Sequence, residues 1–196
     1  MSKQDQIKWD KKYTEKQTLL DLRPPSDKLV SIIGQIRVGP ALDLASGNGR
    51  HTIYLTKNGF EVDAVDISQI SIDSLAKRLS EKNLSEKVNL IRSDLDDYTP
   101  PTEHFDLIIM SNFLDRDLIE RSKNALKSGG IFFVETYMDD PSNEKSDSNP
   151  DFLLKKGELI NIFSDDFEIL LYEEFDNESY EIYRMKKQMI AAKKIF

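Results

Sequence analysis

Five short apolar runs, each parted from the next by a helical stretch or a long crossing, constrain this chain more than any other feature. They read as strands over Arg37–Leu44, Glu61–Asp66, Val88–Arg92, Phe105–Met110 and Ile131–Thr136. Between and before them the spacing predicts helices over Gln4–Thr14, Asp27–Ile36, Arg50–Asn58, from Ser68 to Lys82, and Arg116–Leu126. The boundaries carry their own signals. Ser26 and Ser68 stand where an N-cap hydroxyl is wanted, Gly59 suits a C′ position, and "KSGG" separates the last of these helices from the fifth strand. A strand joined to the next through a helix returns to the same end of the sheet, so such strands pair in parallel. The expected fold is α/β, a doubly wound Rossmann-like sheet with helices on both faces.

The C-terminal third changes pattern. "DDPSNEKSDSNPD" (Asp139–Asp151) is long, polar and turn-rich, and leaves the C-terminal end of the fifth strand, the edge where doubly wound sheets bind ligands. It is read as either a lid or a surface loop. A helix is expected over Lys155–Phe163, followed by the strands "FEILLYEEF" and "SYEIYRMKK" with a short "DNE" link. A link that short makes a hairpin, so the last strand should run antiparallel.

Composition narrows the function classes. The chain of 196 residues suits one domain. It has no cysteine, which excludes disulfides, thiolate metal sites and a cysteine nucleophile; no metal site is expected, and a cytoplasmic location is. The opening "MSKQDQIKWDKKY" lacks the apolar core of a secretory signal, and no apolar run approaches the roughly 18–20 residues that span a bilayer. The net charge of −8 disfavours nucleic-acid partners, and the basic stretches "KWDKK" and "MKKQMIAAKK" read as solvated helix faces or tails. A small molecule is the expected substrate.

The chemistry begins at "LDLASGNGRHTIYL" (Leu42–Leu55), where Asp43 ends the first strand and Gly47 and Gly49 flank Asn48 before a helix. Glycine there permits positive φ and lets a ligand approach the main chain. The helix N-terminus adds free N–H groups and partial positive charge. Such a turn takes either the diphosphate of a dinucleotide or the carboxylate of an amino-acid-like cofactor. Two details favour the second. Thr52 stands where a dinucleotide turn has its third small residue, and Asp43 would repel a diphosphate but suits an ammonium group. Asp66 ends the second strand 23 residues after Asp43, where a carboxylate accepts from both ribose hydroxyls. Asp94 follows the third strand, placed for an adenine amino group, with Leu95 placed to pack on the ring. Asp66 also suits a helix cap ahead of Ser68, but acids at three successive strand ends form a more specific pattern than any one of them.

With these residues in hand, the chain resembles a class I S-adenosylmethionine (SAM)-dependent methyltransferase. "ALDLASGNGR", "AVDIS", "SDL", "FDLIIMSNFL" and "LKSGGIFFVET" follow the superfamily's motif order across Ala41–Thr136. More narrowly it is similar to the TehB-like, tellurite-resistance branch of small-molecule methyltransferases, through "KWDKKY", "DLASGNGRHTIYL", "FLDR", "FVETY" and "NPDFLLKKGELINIF". The resemblance implies a seven-stranded sheet, mostly parallel with the last strand reversed, in a single domain over 1–196. Residues 1–36 would form an N-terminal helical cover, and 137–152 a candidate lid loop. It implies SAM as cofactor, with Asp43, Ala45, Gly47 and Gly49 framing the methionine part and Arg50 pairing with its carboxylate. Asp66 and Ile67 would hold ribose and adenine, Asp94 and Leu95 adenine. Ser111 would contact cofactor through its backbone, and Trp9 and Tyr13 would form an aromatic cover. Asn112 and Phe113 would lie beside the methyl group.

Asn112, Arg116, Glu135 and Tyr137 lie at or after the ends of the fourth and fifth strands and are the substrate-side candidates; Glu135 reads equally as a structural partner for a lid. One departure stands out: Asp115 occupies the place of a histidine common in similar proteins, and an unperturbed aspartate is a poorer base near neutral pH. Of the two histidines, His104 precedes the fourth strand and His51 sits in the first turn of a helix. Methyl transfer from a sulfonium needs alignment and water exclusion more than a strong acid or base, so no catalytic triad is expected. A non-catalytic SAM-binding protein and an NAD(P)-dependent oxidoreductase are the alternatives.

Overall fold

The computed structural model describes residues 3–145 and 147–196; Met1, Ser2 and Ser146, the last inside the expected lid stretch, lie outside the described residues. Seven strands form one sheet in the order β3-β2-β1-β4-β5-β7-β6. They are β1 (Pro40–Leu44), β2 (Glu61–Asp66), β3 (Val88–Arg92), β4 (Phe105–Ser111), β5 (Leu126–Tyr137), β6 (Phe167–Asp176) and β7 (Lys186–Lys194). The helices are α1 (Lys3–Glu15), α2 (Asp27–Ile32), α3 (Arg50–Lys57), α4 (Gln69–Glu81), α5 (Arg116–Lys123) and α6 (Glu158–Ile162). Pairings among β1–β5 are parallel, and β7 alone runs against its neighbours β5 and β6. This is the doubly wound, mostly parallel sheet with a reversed last strand that the sequence leads one to expect.

Side-chain alternation sets the two apolar layers. Leu42, Leu44, Ile108, Met110, Phe132 and Val134 face one side and pack with Leu118, Ile119, Leu159 and Phe163 from α5, α6 and the residue after it. Ala41, Leu107, Ile109, Ile131 and Phe133 face the other and meet Leu29, Ile32 and Leu55 from α2 and α3. Burial on both faces explains why the inner strands read as nearly continuous apolar runs.

The largest difference from expectation lies at the C-terminus. The last strand is Lys186–Lys194, not "SYEIYRMKK", and residues 177–185 are irregular. A strand inserted between β5 and β6 is covered on both faces, so it needs apolar side chains in both directions. "QMIAA" supplies them: Met189 and Ala191 join one layer, Ile190 and Ala192 the other. "SYEIYRM" would have placed Glu181 and Arg184 there. The basic stretch read as a solvated face or tail is therefore a buried strand with lysines at its ends. Other shifts are smaller. β1 starts at Pro40, a 3-10 turn over Ile33–Gln35 completes α2, and "KSGG" lies inside β5 with Gly129 at φ 78°.

Candidate functional site

All five parallel strands deliver their C-terminal ends to one rim. At the end of β1 the chain turns through Ala45, Gly47 and Gly49, at φ 57°, 54° and 81°. Gly49 is the N-cap of α3, and a Cβ added there would stand 2.1 Å from Leu75 Cδ1 of α4, so only glycine fits between the two helices. Ser46 N–H donates to Val65 O at 3.0 Å, and Gly47 N–H donates to Asp66 Oδ2 at 2.8 Å. The second oxygen, Asp66 Oδ1, accepts from Ser68 N–H at 2.8 Å. One carboxylate thus holds the glycine loop of the first strand and the helix start of the second. Burial raises the Asp66 pKa, against the lowering effect of those two N–H donors.

Asp43 is buried at the base of the same loop and accepts from Thr52 Oγ1 at 2.6 Å. Burial pushes its pKa up to about 7, the Thr52 hydrogen bond and Arg50 opposing the shift and Asp66 adding to it. Thr52, which replaces the small residue of a dinucleotide turn, is here the partner of the first strand-end acid.

α1 lies along this rim. Asp10 Oδ1 accepts from Ser68 Oγ at 2.5 Å, next to the cap of α4. The Tyr13 hydroxyl stands 3.4 Å from where a Cβ on Gly47 would be, and the Trp9 and Tyr13 rings are 5.9 Å apart. Gln6, Ile67, Arg92, Ser93 and Asp94 line a cleft of about 220 Å³ at the ends of β2 and β3. Asp94 Oδ1 accepts from Asp96 N–H at 3.0 Å, and Leu95 is wholly buried in the core.

The other half of the rim belongs to β4, β5 and β7. Arg50 Nη2 donates to Ser111 Oγ at 3.0 Å, tying the start of α3 to the end of β4. Asn112 takes a left-handed conformation (φ 55°), and its N–H donates to Glu135 O at 2.8 Å, joining the exits of β4 and β5. The Glu135 side chain is buried. It accepts from Ser26 Oγ and, at 3.3 Å, from Lys187 Nζ of β7. Lys187, fully buried, also donates to Glu178 Oε2 at 2.7 Å and lies 5.1 Å from the Tyr137 ring centroid. Glu178 Oε1 is 3.8 Å from Arg50 Nη1. His51 Nε2 accepts from Ser26 N–H at 3.1 Å; burial, with Arg50 and Lys187 nearby, holds its pKa well below the usual value, so the ring is a neutral acceptor.

Two sequence candidates stand apart from this cluster. Arg116 donates to Glu158 Oε1 at 2.5 Å and to the carbonyls of Asp151 and Leu153 at 2.8 and 3.0 Å, clamping α5 to the chain before α6. Asp115 caps α5, its Oδ1 accepting from Leu118 N–H at 2.8 Å, a task a histidine performs less well. Of the expected lid, Asn143 and Glu144 bond to Lys186 and Arg184, so this stretch is fastened to the chain entering β7. Sequence reasoning missed Ser26 as a Glu135 partner, and it missed Glu178 and Lys187. The one signal for Lys187 was a pair of lysines opening an apolar run.

Residues 41–130 match the family described as methyltransferase domain. No curated protein sequence matches the chain. Among solved structures, TehB from Haemophilus influenzae superposes with a TM-score of 0.76 at 23% identity, over 87% of this chain and 62% of TehB. The chain therefore spans about three fifths of that relative. Geranyl diphosphate C-methyltransferase from Streptomyces coelicolor A3(2), solved with Mg2+, geranyl diphosphate and S-adenosyl-L-homocysteine, gives 0.68 at 15% identity, over 86% and 80% of the two chains. The glycopeptide N-methyltransferase MtfA, complexed with SAM, gives 0.62 at 20% identity, over 86% of each chain. The shared feature is the fold.

Proposed function

We propose that this chain, which carries a methyltransferase domain over residues 41–130, is a class I, TehB-like enzyme that transfers a methyl group from SAM to a small-molecule acceptor. The observation that carries the reading is the Gly47 N–H bond to Asp66, which joins the glycine loop and the second strand-end acid into one receptor at the sheet rim. The residues fit the cofactor. Asp43 is buried with a hydroxyl as its hydrogen-bond partner and a pKa raised by desolvation, so a ligand ammonium supplies the positive charge it wants. Asp66 has both oxygens fixed by backbone N–H groups and keeps lone pairs for ribose hydroxyls. Ile67 and Asp94 line the cleft assigned to adenine, and Tyr13 of α1 brings its hydroxyl to the loop at Gly47 with Trp9 beside it.

SAM, held by Asp43, the Gly47–Gly49 loop and Asp66, would supply an electrophilic methyl for an acceptor lone pair, with a neutral thioether as leaving group. The chain's part is to orient and to exclude water. Asn112, in its left-handed turn, and Ser111 with Arg50 define the floor between the cofactor loop and the acceptor side. Glu135 and Tyr137 border that side from β5. Within residues 3–36, α1 serves as the cofactor's cover while α2 packs on the sheet, and the described residues of 137–152 flank the acceptor. Among the described residues no helix is long and apolar enough to cross a membrane. The cysteine-free composition supports a cytoplasmic location.

Isothermal titration with S-adenosylhomocysteine and with NAD tests the reading. Binding of the first and not the second is expected. Asp66→Ala should weaken it by about 1.5–3 kcal/mol, roughly 10- to 150-fold, because ribose loses a charged acceptor. Binding of NAD alone, or unchanged affinity in Asp66→Ala, overturns the reading.

A further inference from the structure

The acceptor side of the rim has a charge pattern that the fold alone does not require. Three cations converge there: Lys187 from β7, Arg50 from α3, and Arg23 from the chain before α2. The regular elements supply two carboxylates against them: Glu135, whose side chain is 1% exposed and which already meets Lys187, and Asp43 near the end of β1, which faces Arg50. The other two, Glu178 on Lys187 and Arg50, and Glu181 on Arg23, come from the irregular segment 177–185. The tip of that segment contributes little to the core. Ile182 is 87% exposed, and Tyr180 and Tyr183 about half, with Tyr180 resting against Arg23 at 5.1 Å.

We propose that the methyl acceptor carries a carboxylate, and that Lys187 and Arg23 receive it in the place now held by the side chains of Glu178 and Glu181. This rests on the methyltransferase reading for what lies next to the site. A lysine this deeply buried needs compensation at all times, because an unpaired charge out of water costs several kcal/mol. In the free protein Glu135 and the loop carboxylate of Glu178 provide it together. A ligand carboxylate would exchange for Glu178 with the same charge against the same cations: Lys187, whose Nζ now donates to Glu178 at 2.7 Å, and Arg50, now 3.8 Å from it. The tip itself buries little apolar surface, with Ile182 87% exposed. With both loop carboxylates withdrawn, three cations face two carboxylates, Glu135 and Asp43, an excess that suits one negative charge. The position also fits: Arg50 reaches Ser111 at the end of β4, and the Tyr137 ring lies beside Lys187.

Ligand-observed NMR titrations of the full chain with acetate, succinate and benzoate, each against its neutral amide, test this. The wild type should bind at least one carboxylate and not its amide. Glu178→Ala, which leaves Lys187 its Glu135 partner and whose folding is checked by far-UV circular dichroism, should bind that carboxylate at least tenfold more tightly. The same affinity should persist with S-adenosylhomocysteine saturating. Equal binding of amide and carboxylate, no carboxylate binding by either form, or affinity unchanged or weakened in Glu178→Ala overturns the proposal. So does loss of carboxylate binding once S-adenosylhomocysteine is bound, since the cations would then belong to the cofactor's own carboxylate. Failure of S-adenosylhomocysteine to bind at all would count against the methyltransferase reading, while the carboxylate titration in its absence still reads the cation site separately.

Discussion

The two halves of the rim are held together in different ways. On the cofactor side most of the fixed groups are near in sequence and the donors are neutral: Ser68 N–H to Asp66 spans 2 residues, Thr52 to Asp43 spans 9, and Gly47 N–H to Asp66 spans 19, with Ser68 to Asp10 of α1, at 58, the exception. On the acceptor side charged side chains meet across long separations: Lys187 to Glu135 spans 52 residues, Arg50 to Ser111 spans 61, and Ser26 to Glu135 spans 109. The first half is set mainly by bonds between β1, β2 and the turns that follow them. The second exists only once the sheet is complete. Changes on the acceptor side should therefore register in stability, and changes on the cofactor side in ligand binding.

Lys187→Met gives the largest effect and the most direct way to break this contrast. It leaves Glu135 buried with Ser26 as partner and no cation against it, which should cost about 3–5 kcal/mol of unfolding free energy, read as a fall in the urea midpoint at unchanged slope. Adding Glu135→Gln should recover part of the loss, because the stranded charge is then gone. A single variant within about 1 kcal/mol of wild type would mean that the acceptor-side cluster is no more structural than a surface ion pair.

Asp43 gives a smaller effect with a defined sign. Its pKa is raised by burial to about 7 in the folded chain, from the 3.8 of an exposed carboxyl. A carboxyl raised on folding binds its proton more tightly in the native state, so its contribution to stability is full below about pH 4 and is lost as pH rises through about 7. Ligand binding goes the other way. The proposed cofactor brings an ammonium group that wants the ionised form, so S-adenosylhomocysteine affinity should rise about tenfold from pH 6 to pH 8. Asp43→Asn should flatten both profiles. A wild-type affinity that is level across that range would remove Asp43 from the ammonium site and leave Asp66 as the main charged contact on the cofactor side.

The same contrast explains what was legible in the sequence. Asp43, Gly47, Gly49 and Asp66 were readable because each sits at a strand end or turn that local pattern marks, and the pairs that matter are close along the chain. The five parallel strands were readable for the same reason. β7 was not, since a run of "QMIAA" between lysines looks like a tail until its two neighbours are in place. With β7 misplaced, Lys187 had no reason to be placed beside Glu135. Arg116 looked exposed at a strand exit, but its partner Glu158 is 42 residues away and belongs to a helix whose docking depends on the whole sheet. Long-range ion pairs leave no spacing rule to read.

Ala45 offers the smallest and finest test, because two opposing terms meet at one residue of the otherwise local half. At φ 57° its backbone is in the left-handed region, which costs a residue with a Cβ about 1–2 kcal/mol. Glycine would relieve that strain but adds about 0.4–1 kcal/mol of freedom to the unfolded chain. It would also remove a methyl that is partly buried against the core layer beside Leu44 and Met110, worth roughly 0.4 kcal/mol if half of a buried methylene is counted. The strain term is the larger, so Ala45→Gly should stabilise the protein by about 0.5 kcal/mol or less, with S-adenosylhomocysteine affinity held within twofold. Destabilisation by about 1 kcal/mol would show that the methyl's packing dominates the turn. The loop would then depend on the sheet's core in the way the acceptor side does, and the division between the two halves would run after Ala45 instead of before it.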